Sequence, residues 1–272
     1  MARVKGLYDT GMTQISLGVL IEVNEALSQY RDSLVLAGGW APYFITKGYF
    51  NHCGSIDIDL VLKPKILRRY ESIRESIINL GFRPTSNPFK FEREVTQDVS
   101  VELDFLSEPE ALENIPREFV RVQEGLDAVT IPCSSIVFKF NFEAEASGRL
   151  TDGSELSTKV KVGDIVTMMG MKGHALGRPL KLEKDCYDVY AICGFTGGSP
   201  RNSAGEFTTK FRRGHVTRRE KDFVEQALER IRAYFRSESG RGPIAVSRFY
   251  GMDEGRRIDA YRRVNTFLEN VQ

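Results

Sequence analysis

Leu34-Val-Leu-Ala-Gly-Gly39 and Gly54-Ser-Ile-Asp-Ile-Asp-Leu-Val-Leu62 carry most of what this sequence says about its fold. The first is a short apolar run broken by Gly38 and Gly39, and glycine serves where a backbone must turn or approach another group closely. The second alternates with a period of two. That pattern puts Ile56, Ile58, Leu60 and Leu62 on one face of a strand and Asp57, Asp59 and Val61 on the other. Two aspartates so spaced point the same way, with Cα atoms ~6.6 Å apart. A D-x-D alone describes the solvated side of any half-exposed sheet, so its surroundings carry the argument.

Upstream, Ile15, Val19, Val23, Leu27 and Tyr30 recur at helical spacing and predict a helix over residues 14–30. Trp40 to Gly48 reads as a short helix, with Trp40 expected to be buried behind the first strand rather than stacked on a base. Downstream, Pro64 followed by Ile66, Tyr70, Ile73, Ile77 and Leu80 predicts a helix that Gly81 ends. A hairpin follows, Phe89 to Glu94 with Val99 to Leu106, whose alternation sets Glu102 and Asp104 on the face opposite Val101, Leu103 and Phe105. Ser135 to Glu143 reads as a further strand.

The rest is mainly helical. Leu182, Cys186, Val189 and Cys193 form one apolar stripe, Val224, Leu228, Ile231 and Phe235 a second, and Ile258, Tyr261, Val264 and Leu268 a third. Gly, Ser and Pro within residues 194–207 predict a long loop or hinge. The expected class is α/β, of the α+β kind: a small mixed sheet with flanking helices over residues 1–150, then a mainly helical domain over 151–272.

The 38 basic and 37 acidic side chains nearly cancel, yet their distribution is uneven. Residues 201–272 hold 16 Lys/Arg and 10 Asp/Glu, a net of +6, which leaves 22 minus 27, or −5, for residues 1–200. A basic C-terminal part suits a polyanionic partner. The run from Phe211 to Lys221 and the arginines at 256, 257, 262 and 263 could track phosphates or simply be solvated helix surface. Cys53, Cys133, Cys186 and Cys193 lack the spacing of a disulfide scaffold or zinc module, and His52, His174 and His215 lack zinc spacing. These histidines read as structural or solvated. The first ten residues lack the apolar core of a signal peptide, and no apolar run approaches the ~20 residues that span a bilayer. A cytoplasmic protein with no membrane partner is expected.

Two aspartates on one strand and a third carboxylate on a neighbour invite a hard cation, and magnesium keeps open positions for substrate phosphates. Asp57, Asp59 and Asp104 are the candidates, with Glu102 on the same face as a competitor. Leu36-Ala-Gly38-Gly39, Gly54-Ser55-Ile-Asp57-Ile-Asp59 and Leu103-Asp104-Phe105 together resemble the signature of the polymerase β nucleotidyltransferase superfamily. A second block, Met171-Lys172-Gly-His-Ala175-Leu-Gly-Arg178 followed by Lys184-Asp185-Cys-Tyr-Asp188, resembles the K-x-x-A-x-x-x-R…K-D-x-x-D block of AbiEii and MenT toxins. The likeness runs from about Leu34 to Ile192.

The resemblance implies a nucleotidyltransferase core over residues 1–150, with the helical domain completing the nucleotide and acceptor cleft. It implies Mg2+ or Mn2+ on Asp57, Asp59 and Asp104, an NTP substrate lined by Gly38, Gly39 and Ser55, and nucleotide contacts from Lys172, Arg178 and Lys184. Asp185 or Asp188 would act as base. Lys184 and Asp188 also stand one helical turn apart, so a plain i,i+4 ion pair is the competing explanation for them. Gly170 and Gly173, on either side of Lys172, are poor helix formers. The implied activity is transfer of a nucleotide, a pyrimidine by resemblance, to the 3′ end of tRNA or another RNA, blocking translation, with a cognate antitoxin as partner. An aminoglycoside adenylyltransferase-like enzyme acting on small molecules or proteins, and a non-catalytic nucleotide-binding module, are the alternatives.

Overall fold

A computed structural model describes residues 10–66, 71–108, 118–178 and 180–271. The chain divides into two compact units, one formed by Thr10–Ala41 with Gly54–Gly163 and the other including Pro42–Cys53 with Asp164–Gln272.

In the first unit, α1 (Thr10–Ala26) runs into a 3-10 turn at Ser28–Ser33, and β1 (Leu34–Leu36) follows. Helix α2 (Trp40–Ile45) then carries the chain into the other unit, and β2 (Asp57–Leu62) resumes the sheet. Next come α3 (Ile73–Asn79), β3 (Arg83–Pro84), β4 (Lys90–Thr96), β5 (Val99–Ser107), β6 (Phe119–Gln123), β7 (Leu126–Thr130), β8 (Asn141–Arg149) and β9 (Glu155–Gly163). Among the described residues these strands form one mixed sheet in the order β3-β4-β5-β2-β1-β9-β8, with β7 beside the end of β5 and β6 beside β7. The strand pair β2 and β5 is parallel, whereas β4 and β5 are antiparallel. Ile58, Leu60, Val101, Leu103 and Phe105 turn into the core, as the alternation required. Trp40 is buried in the same unit, where its ring lies under Gly54.

Two expectations shift in this unit. The helix expected after Pro64 starts only at Ile73, because Ser72 and Glu75 form a capping box in which each side chain accepts the other's backbone N–H, at 3.1 and 2.7 Å. Ile66 lies outside it, its N–H donating to Val122 O at 2.9 Å, and Tyr70 falls outside the described residues. Residues 134–138 are a 3-10 turn rather than a strand, entered through Cys133 at φ +57°, and the strand begins at Asn141. A short apolar run fits either conformation, and here Ile136, Val137 and Phe140 reach the core without extended backbone. The β8–β9 hairpin keeps residues 151–163 with the sheet, this compact unit runs to Gly163, and residues 42–53 cluster with the second unit.

The second unit holds α4 (Ile165–Ala175), α5 (Leu182–Phe195), α6 (Pro200–Arg213), α7 (Arg218–Tyr234), α8 (Arg241–Phe249) and α9 (Glu254–Asn270). The expected loop at 194–207 is mostly helix: α5 continues to Phe195, and α6 begins at Pro200 with Ser199 Oγ accepting the Asn202 N–H at 3.2 Å. Serine at the cap and proline at the first position are helix-start signals that the composition of the segment concealed.

Candidate functional site

Two clusters of chemistry-bearing residues emerge, one in each unit. In the sheet unit, register places Asp59 of β2 beside Asp104 of β5, and Asp104 beside Lys90 of β4. Two residues earlier on β2 and β5, and so on the same face, stand Asp57 and Glu102, with Glu92 next to Glu102 on β4. Two parallel rows of ionisable side chains therefore cross the same face, Asp59–Asp104–Lys90 and Asp57–Glu102–Glu92.

The turn after β1 is shaped around this face. Gly38 adopts φ +58°, and a Cβ there would lie 1.7 Å from Asp59 Oδ2, so the absence of a side chain lets the carboxylate sit against the turn. The Ala37 N–H donates to Asp59 O at 2.9 Å, tying the turn to β2. Ser55 is buried, and its Oγ accepts the Asp57 N–H at 3.3 Å, which fixes the start of the strand. Gly39 is buried in the same turn.

Asp104 is the strained member. Burial foremost, then the negative charge of Asp59, push its carboxyl up to about 7 against the pull of Lys90. Its Oδ1 is buried without a hydrogen-bond partner and lies 3.5 Å from Lys90 Nζ. Lys90 Nζ also hydrogen-bonds Glu102 Oε2. Burial lowers the Lys90 ammonium, but the Glu102 hydrogen bond and the charges of Asp104, Glu102 and Asp57 outweigh it and leave its pKa raised. Among the described residues no three histidine, cysteine, aspartate or glutamate side chains are drawn together closely enough to hold a metal ion. The donors nevertheless fit one in kind: hard carboxylate oxygens in register on adjacent strands, one of them buried and unpartnered.

In the helical unit, the second sequence block forms a buried charge network. Asp188 of α5 is fully buried. Its Oδ1 accepts from His52 Nε2 at 3.0 Å and from Lys184 Nζ at 2.5 Å. Its Oδ2 lies 2.6 Å from Lys172 Nζ of α4, a charge contact outside hydrogen-bond alignment. Lys172 Nζ donates to Asp185 Oδ1 at 2.9 Å, and Arg178 forks onto both Asp185 oxygens at 2.7 and 2.8 Å. The i,i+4 pair of Lys184 and Asp188 is thus real, but it lies inside the unit and shares its carboxylate with two further groups. Although burial alone would raise it, the charges of Lys172 and Lys184 and the His52 hydrogen bond hold the Asp188 carboxyl far below the carboxylate range. The same carboxylates outweigh burial at Lys172 and hold its ammonium well above the lysine range. His52 goes the other way: burial, and then the charge of Lys184, lower it to about 4, so it is neutral at neutral pH and donates through Nε2.

Gly170 and Gly173 have a packing role. A Cβ at Gly170 would meet Phe223 Cε1 at 2.9 Å, and one at Gly173 would meet Ala227 Cβ and O at 2.6 Å, so the two glycines let α4 lie close along α7. His174 stacks on Phe223, centroid to centroid 4.2 Å, and bonds its carbonyl, in keeping with a structural histidine.

His52, read from the sequence only as structural or solvated, stands 136 residues from the aspartate it touches. Of the C-terminal arginines, Arg256 bonds Tyr190 Oη, Arg257 bonds Glu254 and Glu238 O, and Arg263 bonds Asp259 and Gly194 O, so these three are engaged within the unit. Thr217 and Glu220 cap α7, and Arg218 and Lys221 face Asp222 and Glu225, which fits the solvated-helix reading of that run. The four cysteines are free thiols. Among the described residues no helix is long and apolar enough to cross a membrane.

Among known families, the model described as "Nucleotidyl transferase AbiEii toxin, Type IV TA system" matches residues 23–245, well over half of the chain. No curated protein and no solved structure matches.

Proposed function

Because this chain belongs to the AbiEii nucleotidyl transferase toxin family of type IV toxin–antitoxin systems, we propose that it transfers a nucleotide from an NTP, by the resemblance a pyrimidine, to the 3′ end of tRNA and so blocks translation. The observation that carries the catalytic part is the register of Asp59 with Asp104 beside Asp57, on a face that Gly38 keeps open. In this reading Asp57, Asp59 and Asp104 hold the divalent cation, with Gly38, Gly39 and Ser55 along the triphosphate. When bound, the cation supplies charge neutralisation at the leaving pyrophosphate and makes the acceptor hydroxyl more acidic. The acceptor oxygen bonds to the α-phosphorus as the bond from that phosphorus to pyrophosphate breaks, and the hydroxyl proton passes to a base.

Resemblance gives the base to Asp185 or Asp188. Their burial and ion pairs favour a different task, holding Lys172, Lys184 and Arg178 in place. A cognate antitoxin and action in the cytoplasm follow from the family reading.

The test is to incubate the protein with magnesium, total tRNA and each labelled NTP in turn, beside Asp57→Ala. Label entering tRNA only with the intact carboxylate supports the proposal and identifies the nucleotide. Label entering small molecules or proteins instead moves the reading to the adenylyltransferase-like alternative. No transfer to any acceptor leaves a nucleotide-binding module.

A further inference from the structure

We infer that Lys90 is the resident cation of the carboxylate rows: its ammonium holds Asp104 and Glu102 in the metal-free protein and must release Asp104 when a divalent cation enters. The inference rests on the reading of Asp57, Asp59 and Asp104 as the metal-binding set.

Lys90 stands opposite Asp104 in the β4–β5 register, and Asp104 stands opposite Asp59 in the β5–β2 register. Asp104 is thus the shared member, with a carboxylate on one side and an ammonium on the other. The Lys90 side chain is only 19% exposed, so its charge is directed along the sheet face rather than dispersed in solvent. Its nitrogen bridges the two β5 acids, bonded to Glu102 and 3.5 Å from the otherwise unpartnered Asp104 Oδ1.

This bridge gives a physical account of why the carboxylates are aligned but not drawn into a cage. Four acids on two adjacent strands, Asp57, Asp59, Glu102 and Asp104, repel one another, and like charges side by side across a sheet destabilise it. One half-buried ammonium offsets that repulsion from the β4 side and draws the β5 acids towards itself. An oxygen of Asp104 that turns to a divalent ion must leave Lys90, and two cations on one carboxylate repel. Lys90 therefore weakens metal binding and stabilises the empty sheet. The acceptor of both effects is Asp104.

The experiment measures Mn2+ binding calorimetrically, without nucleotide, for the wild type, Lys90→Gln and Lys90→Arg, and the melting temperature of each in chelator and in saturating Mg2+. Removing a positive charge within one side-chain length of the ion should tighten Mn2+ binding roughly tenfold, while Lys90→Arg, which keeps the charge, stays within about twofold of wild type. Lys90→Gln should melt below wild type in chelator and lose that deficit in Mg2+. In addition, Mg2+ should increase acetylation of Lys90 in the wild type, read by peptide mass spectrometry, because the amine is freed. Unchanged or weaker Mn2+ binding in Lys90→Gln, with an equal melting deficit in both buffers, overturns the inference and leaves Lys90 a plain sheet ion pair. If the wild type itself binds no Mn2+, the metal-site reading falls and takes this inference with it.

Discussion

Asp188→Asn offers the sharpest test of the buried network in the helical unit. The side chains of Lys172 and Lys184 are only 8% and 7% exposed, and with Arg178 they place three positive charges around the two carboxylates of Asp185 and Asp188. His52 adds none, because it is neutral at neutral pH. The substitution is nearly isosteric, so packing is preserved and the charge balance alone moves from three against two to three against one. Lys184 then loses the carboxylate it bonds at 2.5 Å, and His52 Nε2 loses an ionised acceptor. Removing one partner of a buried pair while the other stays charged costs about 3–5 kcal/mol, a sizeable share of a stability of ~5–15 kcal/mol. Urea unfolding followed by far-ultraviolet ellipticity, which reports mainly on the helices, should show a midpoint lowered to match at neutral pH, with little change in slope. Lys184→Met in the Asp188→Asn background should recover part of the loss, because it removes a buried positive charge along with the carboxylate that balanced it. A loss below ~1 kcal/mol for Asp188→Asn, or a double variant that costs the sum of the singles, would refute the argument that these charges are buried and mutually dependent.

Stability between pH 6.5 and about 4 should fall on acidification because of His52: its folded pKa, about 4, lies below its unfolded value of 6.5, so the unfolded chain takes up a proton that the folded protein refuses. Above 6.5 this contribution is fully present, and unfolding midpoints of His52→Gln measured across the same range should show a flatter profile than wild type. Asp104 acts in the opposite sense, since its folded pKa of about 7 lies above its ordinary 3.8 and stability is lost as pH rises between them, so Asp104→Asn should steepen the fall of stability on acidification. Gly38→Ala should cost about 1–3 kcal/mol and abolish nucleotide transfer, because the new methyl group would sit 1.7 Å from Asp59 Oδ2 at a φ of +58°; transfer assays beside a thermal melt separate the two effects. Gly173→Ala should destabilise by about 1–3 kcal/mol despite alanine's better helix propensity, as the Cβ would meet the Ala227 backbone oxygen at 2.6 Å, and a melt that rises instead would show that α4 and α7 have room to separate.

Local pattern was enough for the first cluster. Alternation by itself assigned Asp57, Asp59 and Asp104 to one face of a sheet, because side-chain direction in a strand follows sequence parity, and the structure keeps that assignment through the β2–β5 register. The glycines before the D-x-D marked the turn, although the reason at Gly38 is an acidic side chain pressed against it. Even Lys90 was within reach of the hairpin pairing, since the β4–β5 register puts it opposite Asp104.

Pattern misled where a segment's composition and its termini spoke differently. Residues 194–207 looked like a loop from their Gly, Ser and Pro content, yet Ser199 and Pro200 start a helix, and Ser72 with Glu75 start another well after Pro64. Caps are set by one or two side chains against free backbone N–H groups, a signal that averaging over a window removes.

The sequence by itself determined the carboxylate face on a strand and the one-turn spacing of Lys184 and Asp188, because both depend on spacing within one element, while the wider lysine–aspartate block rested on family resemblance. Tertiary structure alone decided what the second of these is. The contact of His52 with Asp188 spans 136 residues and depends on residues 42–53 clustering with the C-terminal helices. Whether Lys184 and Asp188 form a solvated surface pair or a buried, shared one depends on what covers them. Spacing along a helix fixes which side chains can meet, whereas the desolvation that turns their meeting into shifted pKa values and interdependent charges comes from elements distant in the chain.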